Sequence, residues 1–164
     1  NPVVYNKQVF KDAGLDAENF PKTWDEFIKA CKAIKGKGIV PLSVGGKEGF
    51  GGAWLASYIG IQNYDSTADM MAPAVGKAKY TDEKYAAWWK KLGELRDNQY
   101  INKDYNSIEF YQAQDNFKKG NAGMTLTVGS GAVDVVKTRG TDKVGIATFH
   151  TWGAGKYAGP LQLS

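Results

Sequence analysis

The chain contains little of what metal and thiol chemistry requires. One cysteine, Cys31, among 164 residues excludes an internal disulfide and any cysteine-rich zinc site. One histidine, His150, leaves most histidine-based metal centres and catalytic triads without their parts. We therefore predict no metal, no cofactor and no catalytic group of these kinds.

Long apolar runs and concentrated charge are also missing. The longest apolar stretches are a few residues long, too short to cross a bilayer. Lys and Arg number 21 against 17 Asp and Glu, a net charge of +4, but the lysines are scattered among acids instead of forming a stripe. We predict neither membrane insertion nor a nucleic-acid partner. The composition, 43% hydrophobic and 23% charged, is that of one globular domain over residues 1–164.

Aromatic residues and glycines are abundant. Aromatic residues make up 13% of the chain, and the 20 glycines cluster at 45–52, 129–131 and 153–159. Phe50 and Trp152 each stand among glycines, which rarely form a core, so we interpret both as ligand contacts ahead of packing. Trp54 opens an apolar helix, and its position alone favours packing.

The order of elements predicts an α/β fold with a largely parallel sheet flanked by helices, because strands alternate with helical segments. Thr23 and Glu26 form a capping box for a helix that ends at Gly36, with Cys31 on its apolar face as an inert thiol. Pro41 favours either an edge position for its strand or a position at the start of the strand. The predicted strands are 3–5, 39–44, 124–128, 144–149 and 160–163.

Several helix positions follow from spacing. Helices are expected to begin near Ala53 and Ala132, and Ser107 is a candidate N-cap. A long helix after Thr81 carries one apolar face, which we interpret as core; it comprises Tyr85, Trp88, Trp89, Leu92 and Leu95.

Two local patterns invite functional hypotheses. Gly129-Ser130-Gly131 lies between a strand and a helix, but Asp134 occupies the place of the third glycine of a dinucleotide fingerprint. A tight turn that aims backbone N–H groups at a polar ligand explains it better. Glu48, with Asp134 or Glu109 as a second acid, is the pair that a glycosidase would need, although isolated acids are usually solvated.

A family resemblance covers nearly the whole chain. The motifs Tyr5-Asn6-Lys7 and Pro21-Lys22-Thr23-Trp24, with the later run 117–124, resemble extracellular solute-binding proteins of carbohydrate-type ABC importers, related to maltose-binding protein. The resemblance implies a periplasmic-binding-protein-like C-terminal lobe whose N-terminal lobe is absent. It implies a sugar ligand, ABC permease partners and an extracellular or periplasmic location, with a lipoprotein anchor as an option in the full-length protein.

The resemblance also carries site residues. Lys47, Glu48 and Phe50 fall in the loop that supplies an acid and a stacking ring to the sugar cleft, and Trp54 stands where that loop is followed by a tryptophan. The second cleft segment has Ser130 between glycines where many relatives carry a tryptophan, and Trp152 is expected to compensate. The resemblance therefore predicts a receptor with no catalytic step.

Two other functions remain open from the sequence. One is a carbohydrate-processing enzyme domain that uses Glu48, and the other is an excised lobe that acts only as an interaction module. Turnover of glycosides would favour the enzyme, whereas permease genes beside this one would favour the receptor.

Overall fold

The structure, a computed structural model, describes residues 2–147, 152, 153 and 155. The predicted strand 160–163 and His150 lie outside the described residues. The elements in chain order are β1 (Val3–Asn6), α1 (Lys7–Asp12), α2 (Trp24–Gly36), β2 (Val40–Ser43), α3 (Phe50–Ile61), α4 (Thr67–Met71), α5 (Glu83–Asp97), α6 (Phe110–Lys118), β3 (Ala122–Leu126), α7 (Gly129–Arg139) and β4 (Val144–Ala147).

A four-stranded open sheet with the order β2-β3-β1-β4 organises the fold. β2 and β3 pair in parallel, whereas β1 pairs antiparallel with both β3 and β4. Three strands therefore run in one direction and enclose a reversed fourth. The predicted α/β fold is confirmed, but the sheet is mixed instead of largely parallel, since two of these three pairings are antiparallel. β2 takes the edge position that Pro41 indicates.

Helix α2 shows how the sequence starts an element. The Thr23 side chain accepts a hydrogen bond from the Glu26 N–H, and the Glu26 carboxylate accepts one from the Thr23 N–H at 3.1 Å, so the predicted capping box is confirmed. The helix then buries Phe27, Cys31 and Ile34 against the sheet. Burial raises the pKa of the Cys31 thiol, as expected of an unreactive core residue.

The main core lies between the sheet and the helices that contain the aromatic residues. Phe10, Phe27, Leu95 and Met124 are fully buried there. A second, smaller cluster sits on the other face of the sheet, where Phe117 and Val135 join α6 to α7. α6 and α7 are thus packed together on one side of the sheet, which fixes the relative position of their first turns.

Some boundaries differ from the predicted ones. α3 begins at Phe50 and α7 at Gly129, each three residues before the expected start, because glycines that resemble loop residues form the first turns. α6 has Glu109 as its N-cap instead of Ser107. Trp89 was expected in the core but is 61% exposed, since its ring stacks on Trp88 outside the buried face of α5.

Candidate functional site

The candidate site lies at the edge of the sheet where the parallel strands β2 and β3 end. The loop after β2 leads into α3, and the short segment after β3 leads into α7. Because adjacent parallel strands end at the same edge, both connections leave the sheet together. In open α/β sheets, ligands bind in the crevice outside the carboxyl ends of such strands.

The glycine-rich loop after β2 is fastened to the chain that precedes α6. The Gly46 N–H donates to the Tyr105 carbonyl at 2.6 Å, and the Lys47 N–H donates to the Ile108 carbonyl at 3.1 Å. A Cβ on Gly45 would lie 2.2 Å from the Glu109 carbonyl oxygen, so only glycine permits this approach. Glycine thus holds the loop tightly against the start of α6.

Charged groups of the loop interact with that helix start. The Glu48 carboxylate accepts a hydrogen bond from the Phe110 N–H at 3.0 Å, where the helix dipole favours negative charge. The Lys47 ammonium lies 3.1 Å from the Glu109 carboxylate, and both side chains are more than half exposed. The predicted residues Lys47 and Glu48 are therefore neighbours on the surface; Lys47 pairs with the N-cap residue of α6 and Glu48 with its first residue.

Four rings form an aromatic cluster beside these charges, comprising Phe50, Trp54, Phe110 and Tyr111. The Phe50 ring centroid is 4.9 Å from that of Trp54 and 5.5 Å from that of Phe110. Trp54 meets Phe110 edge-on at 5.1 Å and is half-buried. Phe50 is 37% exposed and Tyr111 65% exposed, so the cluster presents ring surface to solvent while its inner rings are packed.

Ser130 lies at the second connection, in the first turn of α7, and is exposed. α6 links it to the aromatic cluster. Phe110 and Gln114 are four residues apart on α6, about 6 Å along its axis. A Cβ placed on Gly131, next to Ser130, would lie 3.1 Å from the Gln114 side-chain oxygen. The first turn of α7 therefore sits one helical turn of α6 away from the aromatic cluster.

An ion pair joins the last residue of α6 to the middle of α7. The Lys118 ammonium of α6 lies 2.5 Å from the Asp134 carboxylate of α7, and this bond raises the pKa of Lys118. Asp134, one of the acids considered for a glycosidase pair, is thus engaged with a lysine. Glu109, the other, faces Lys47.

Trp152 is not placed with the other predicted site residues. Only 2% of its surface is exposed, and its ring lies 4.2 Å from the Phe27 ring and 5.5 Å from the Trp24 ring, centroid to centroid. The backbone N–H of Trp152 donates to the Gln62 side-chain oxygen at 2.7 Å. We correct the expectation of a ligand contact here, because the rings of α2 bury this side chain in the core.

Phe110 and Tyr111 were not predicted as site residues from the sequence. The available signal was the pair Phe110-Tyr111 at the first turn of a helix. One residue of such a pair packs inward and the other faces solvent, as Phe110 and Tyr111 do here.

Within the described residues, no group of three or more His, Cys, Asp and Glu side chains could hold a metal ion. No helix in the described part of the chain is both long enough and apolar enough to span a membrane. Exposed rings, a carboxylate and helix N-termini at the carboxyl ends of strands are the features of a ligand-binding domain.

The chain belongs to the family of bacterial extracellular solute-binding proteins, whose family model matches residues 1–164. Curated relatives include an sn-glycerol-3-phosphate-binding periplasmic protein from Brucella abortus, 29% identical over 147 residues that cover 84% of this chain and 32% of the relative. Another is a multiple sugar-binding protein from Streptococcus mutans, 29% identical over 151 residues, 90% of this chain and 35% of the relative.

Among solved structures, a chitin oligosaccharide binding protein superposes with a TM-score of 0.82 at 32% identity, over 94% of this chain and 38% of that one. The chain thus spans about a third of the length of the curated relatives that it matches. The family and these relatives are binding proteins, and the family is extracellular.

Proposed function

We propose that this chain is the ligand-binding C-terminal lobe of an extracellular solute receptor of an ABC importer, with a sugar or oligosaccharide as ligand. The receptor closes a cleft on its ligand and delivers it to the permease, with no catalytic step. The observation that carries the proposal is the aromatic cluster beside Glu48 at the carboxyl ends of β2 and β3. Rings cover the apolar faces of sugars, and a carboxylate accepts hydrogen bonds from their hydroxyls.

The names of the relatives support this proposal. A multiple sugar-binding protein and a chitin oligosaccharide binding protein are both similar to this chain over at least 90% of its length. Because the chain covers only 35 to 38% of those two proteins, we further propose a second, N-terminal lobe that closes over the site. A lipoprotein anchor on the full-length protein belongs to the same proposal.

The arrangement of acids favours a receptor over a glycosidase. Glu48 accepts a backbone N–H bond, while Glu109 and Asp134 each face a lysine. A glycosidase needs one acid protonated and one free to act as base or nucleophile. The two acids considered as partners of Glu48 thus each form an ion pair with a lysine instead of standing free beside it.

The test is a titration of the isotope-labelled chain with mono- and oligosaccharides, followed by NMR chemical shifts. We expect the shifts to centre on Lys47, Glu48, Phe50 and the Trp54 indole. Phe50→Ala should weaken this binding by about 1–3 kcal/mol, as for an anchoring ring. Tyr80→Ala, which removes a ring 68% exposed elsewhere, is the matched control and should bind like the parent.

Two results would contradict the proposal. If Phe50→Ala bound sugar with unchanged affinity, the Phe50 ring would not contact the ligand. Release of reducing sugar from oligosaccharides by the parent chain, abolished in Glu48→Gln, would show an enzyme instead of a receptor.

A further inference from the structure

The first turn of α7 has backbone hydrogen-bond donors, and among the described residues no N-cap side chain accepts a hydrogen bond from them. The N-cap residue is Val128, which has no side-chain oxygen, and the turn that follows is Gly129-Ser130-Gly131-Ala132. The first N–H groups of a helix have no intrahelical acceptor, and the helix dipole adds partial positive charge there. In this 11-residue helix, those donors lie at the exposed residues Gly129 and Ser130 and at the buried Gly131.

Two buried polar side chains meet under this turn. Gln114 is 1% exposed and Thr127 is fully buried, and within the described part of the chain neither the Gln114 Nε2 nor the Thr127 Oγ1 has a hydrogen-bond partner. A Cβ on Gly131 would lie 2.1 Å from the Thr127 Oγ1 and 3.3 Å from the Gln114 Nε2. Buried polar atoms are nearly always paired in folded proteins, so two unpaired ones at the same turn indicate a missing partner.

We propose that these groups form an oxyanion subsite, which we call the donor cradle: the N–H groups of Gly129, Ser130 and Gly131 with the side chains of Gln114 and Thr127. The inference rests on the proposed receptor function and names the ligand chemistry of the same site. The ligand carries a phosphate or a carboxylate, which the donor cradle binds, attached to a hydroxyl-bearing body that lies on the aromatic cluster.

The chemistry of the donor cradle favours an anion over a hydroxyl. The backbone N–H groups and the Gln114 Nε2 can only donate, and the Thr127 hydroxyl can donate or accept, so donors outnumber acceptors in the donor cradle. An oxyanion needs donors alone and gains from the helix dipole. Asp134, on the next turn of α7, is paired with Lys118 at 2.5 Å, which offsets its negative charge.

Glycine at position 131 lets the first turn of α7 pack closely against the side chains of Gln114 and Thr127. Alanine there would place a methyl group against the Thr127 hydroxyl and the Gln114 amide. The distance to the aromatic cluster also fits one ligand, because Phe110 and Gln114 are separated by one turn of α6, about 6 Å. A phosphorylated polyol or a sugar acid is long enough to reach both.

The experiment is an NMR titration of this chain at constant ionic strength with inorganic phosphate, glycerol phosphate, glucuronate and an uncharged oligosaccharide. We expect inorganic phosphate to shift the amide resonances of Ser130 and Gly131 and the side-chain amide of Gln114, saturably. Comparison of glycerol phosphate with glucuronate then identifies the source of the anion, since the tighter of the two shows whether phosphate or carboxylate is preferred.

Matched variants separate the donor cradle from the rest of the site. Gln114→Leu should weaken phosphate binding about tenfold, whereas Gln112→Leu, an exposed position on the same helix, should not. Gly131→Ala should abolish it. Gly93→Ala is the control for glycine in a helix, since a Cβ there would meet no described atom within 4 Å. Thermal melts check that each variant folds. If Gly131→Ala does not fold, Thr127→Val takes its place as the test variant.

The outcomes distinguish failure of the donor cradle from failure of the proposed receptor function. Phosphate shifts that are equal in Gln114→Leu and in the parent would overturn the donor cradle. The donor cradle would also be overturned if phosphate shifted no resonances while the uncharged oligosaccharide shifted those of the aromatic cluster. The proposed receptor function would still hold in that case. If no probe shifts either region, both proposals are wrong.

Discussion

At the scale of single residues, Glu48 has two roles that experiment can separate. Its carboxylate accepts a hydrogen bond from the Phe110 N–H and so caps α6, and it faces the proposed ligand surface. A cap of this kind contributes about 1 kcal/mol to the free energy of unfolding. The same side chain would accept hydrogen bonds from sugar hydroxyls.

Glu48→Gln should therefore lower sugar affinity while leaving the fold intact, because the amide oxygen still accepts the Phe110 N–H bond. Glu48→Ala should lose affinity and about 1 kcal/mol of stability, since the cap is removed as well. Urea denaturation and the sugar titration measure the two effects. Equal stability of both variants and the parent would show that the carboxylate does not cap α6.

For Trp152 we expect a substitution to lower stability instead of sugar affinity. Its buried ring packs on Phe27 and Trp24, so Trp152→Ala should cost about 3–5 kcal/mol of unfolding free energy. Trp89→Ala, which removes a ring 61% exposed, should cost far less. Thermal and urea unfolding compare the pair. A small loss for Trp152→Ala, together with weaker sugar binding, would instead restore its role as a ligand contact.

At the scale of elements, the capping box of α2 makes stability depend on pH. Hydrogen bonds from the Thr23 and Lys22 N–H groups hold the pKa of Glu26 below its ordinary value of 4.5. A lowered folded-state pKa stabilises the protein above the ordinary pKa, and this stabilisation is lost as the pH falls through the lowered value.

We accordingly expect Glu26→Gln to remove part of the stability difference between about pH 7 and about pH 3. Glu83→Gln is the matched control, an acid in the first turn of α5, where Asp82 makes no side-chain cap among the described residues. Urea unfolding midpoints at the two pH values measure this difference for each variant and for the parent. The same pH dependence in Glu26→Gln and in the parent would contradict the assignment.

Features that depend on local chemistry could be predicted from the sequence. The capping box of Thr23 and Glu26 is one, and the edge strand at Pro41 is another, because each depends on a few neighbouring residues. The loop with Lys47 and Glu48 was likewise predicted to follow β2, through its glycines, whereas its role in binding stays a prediction.

Features that depend on contacts between residues far apart in the chain could not be predicted from the sequence. Trp152 stands among glycines in the chain, yet α2 supplies the rings that bury it. The unpaired state of Gln114 depends on how α6 packs against α7, which no local pattern encodes. The first turns of α3 and α7 were missed because glycine has low helix propensity, whereas here it permits close approach to neighbouring backbone or side chains.

At the scale of the whole molecule, we expect this chain to fold alone but to bind its ligand weakly. Its core is formed by helices and strands within the described residues. A receptor with micromolar affinity has about 8 kcal/mol of binding free energy, and if half comes from the second lobe, roughly millimolar affinity remains.

Calorimetry and chemical-shift titration of the isolated chain measure that affinity. Shifts that stay linear into millimolar sugar agree with a site shared between two lobes. Saturation at micromolar concentration would mean that the site is complete within this chain.

The reversed strand in the middle of the sheet governs the order in which the molecule can assemble. Val3 pairs with Leu126 on one side and with Ala147 on the other, so β1 joins two strands that leave the ribosome much later than it does. The fold therefore has high contact order at its centre, and loop closure across most of the chain precedes completion of the sheet. During translation the first strand must wait, unpaired, until both of its neighbours have emerged.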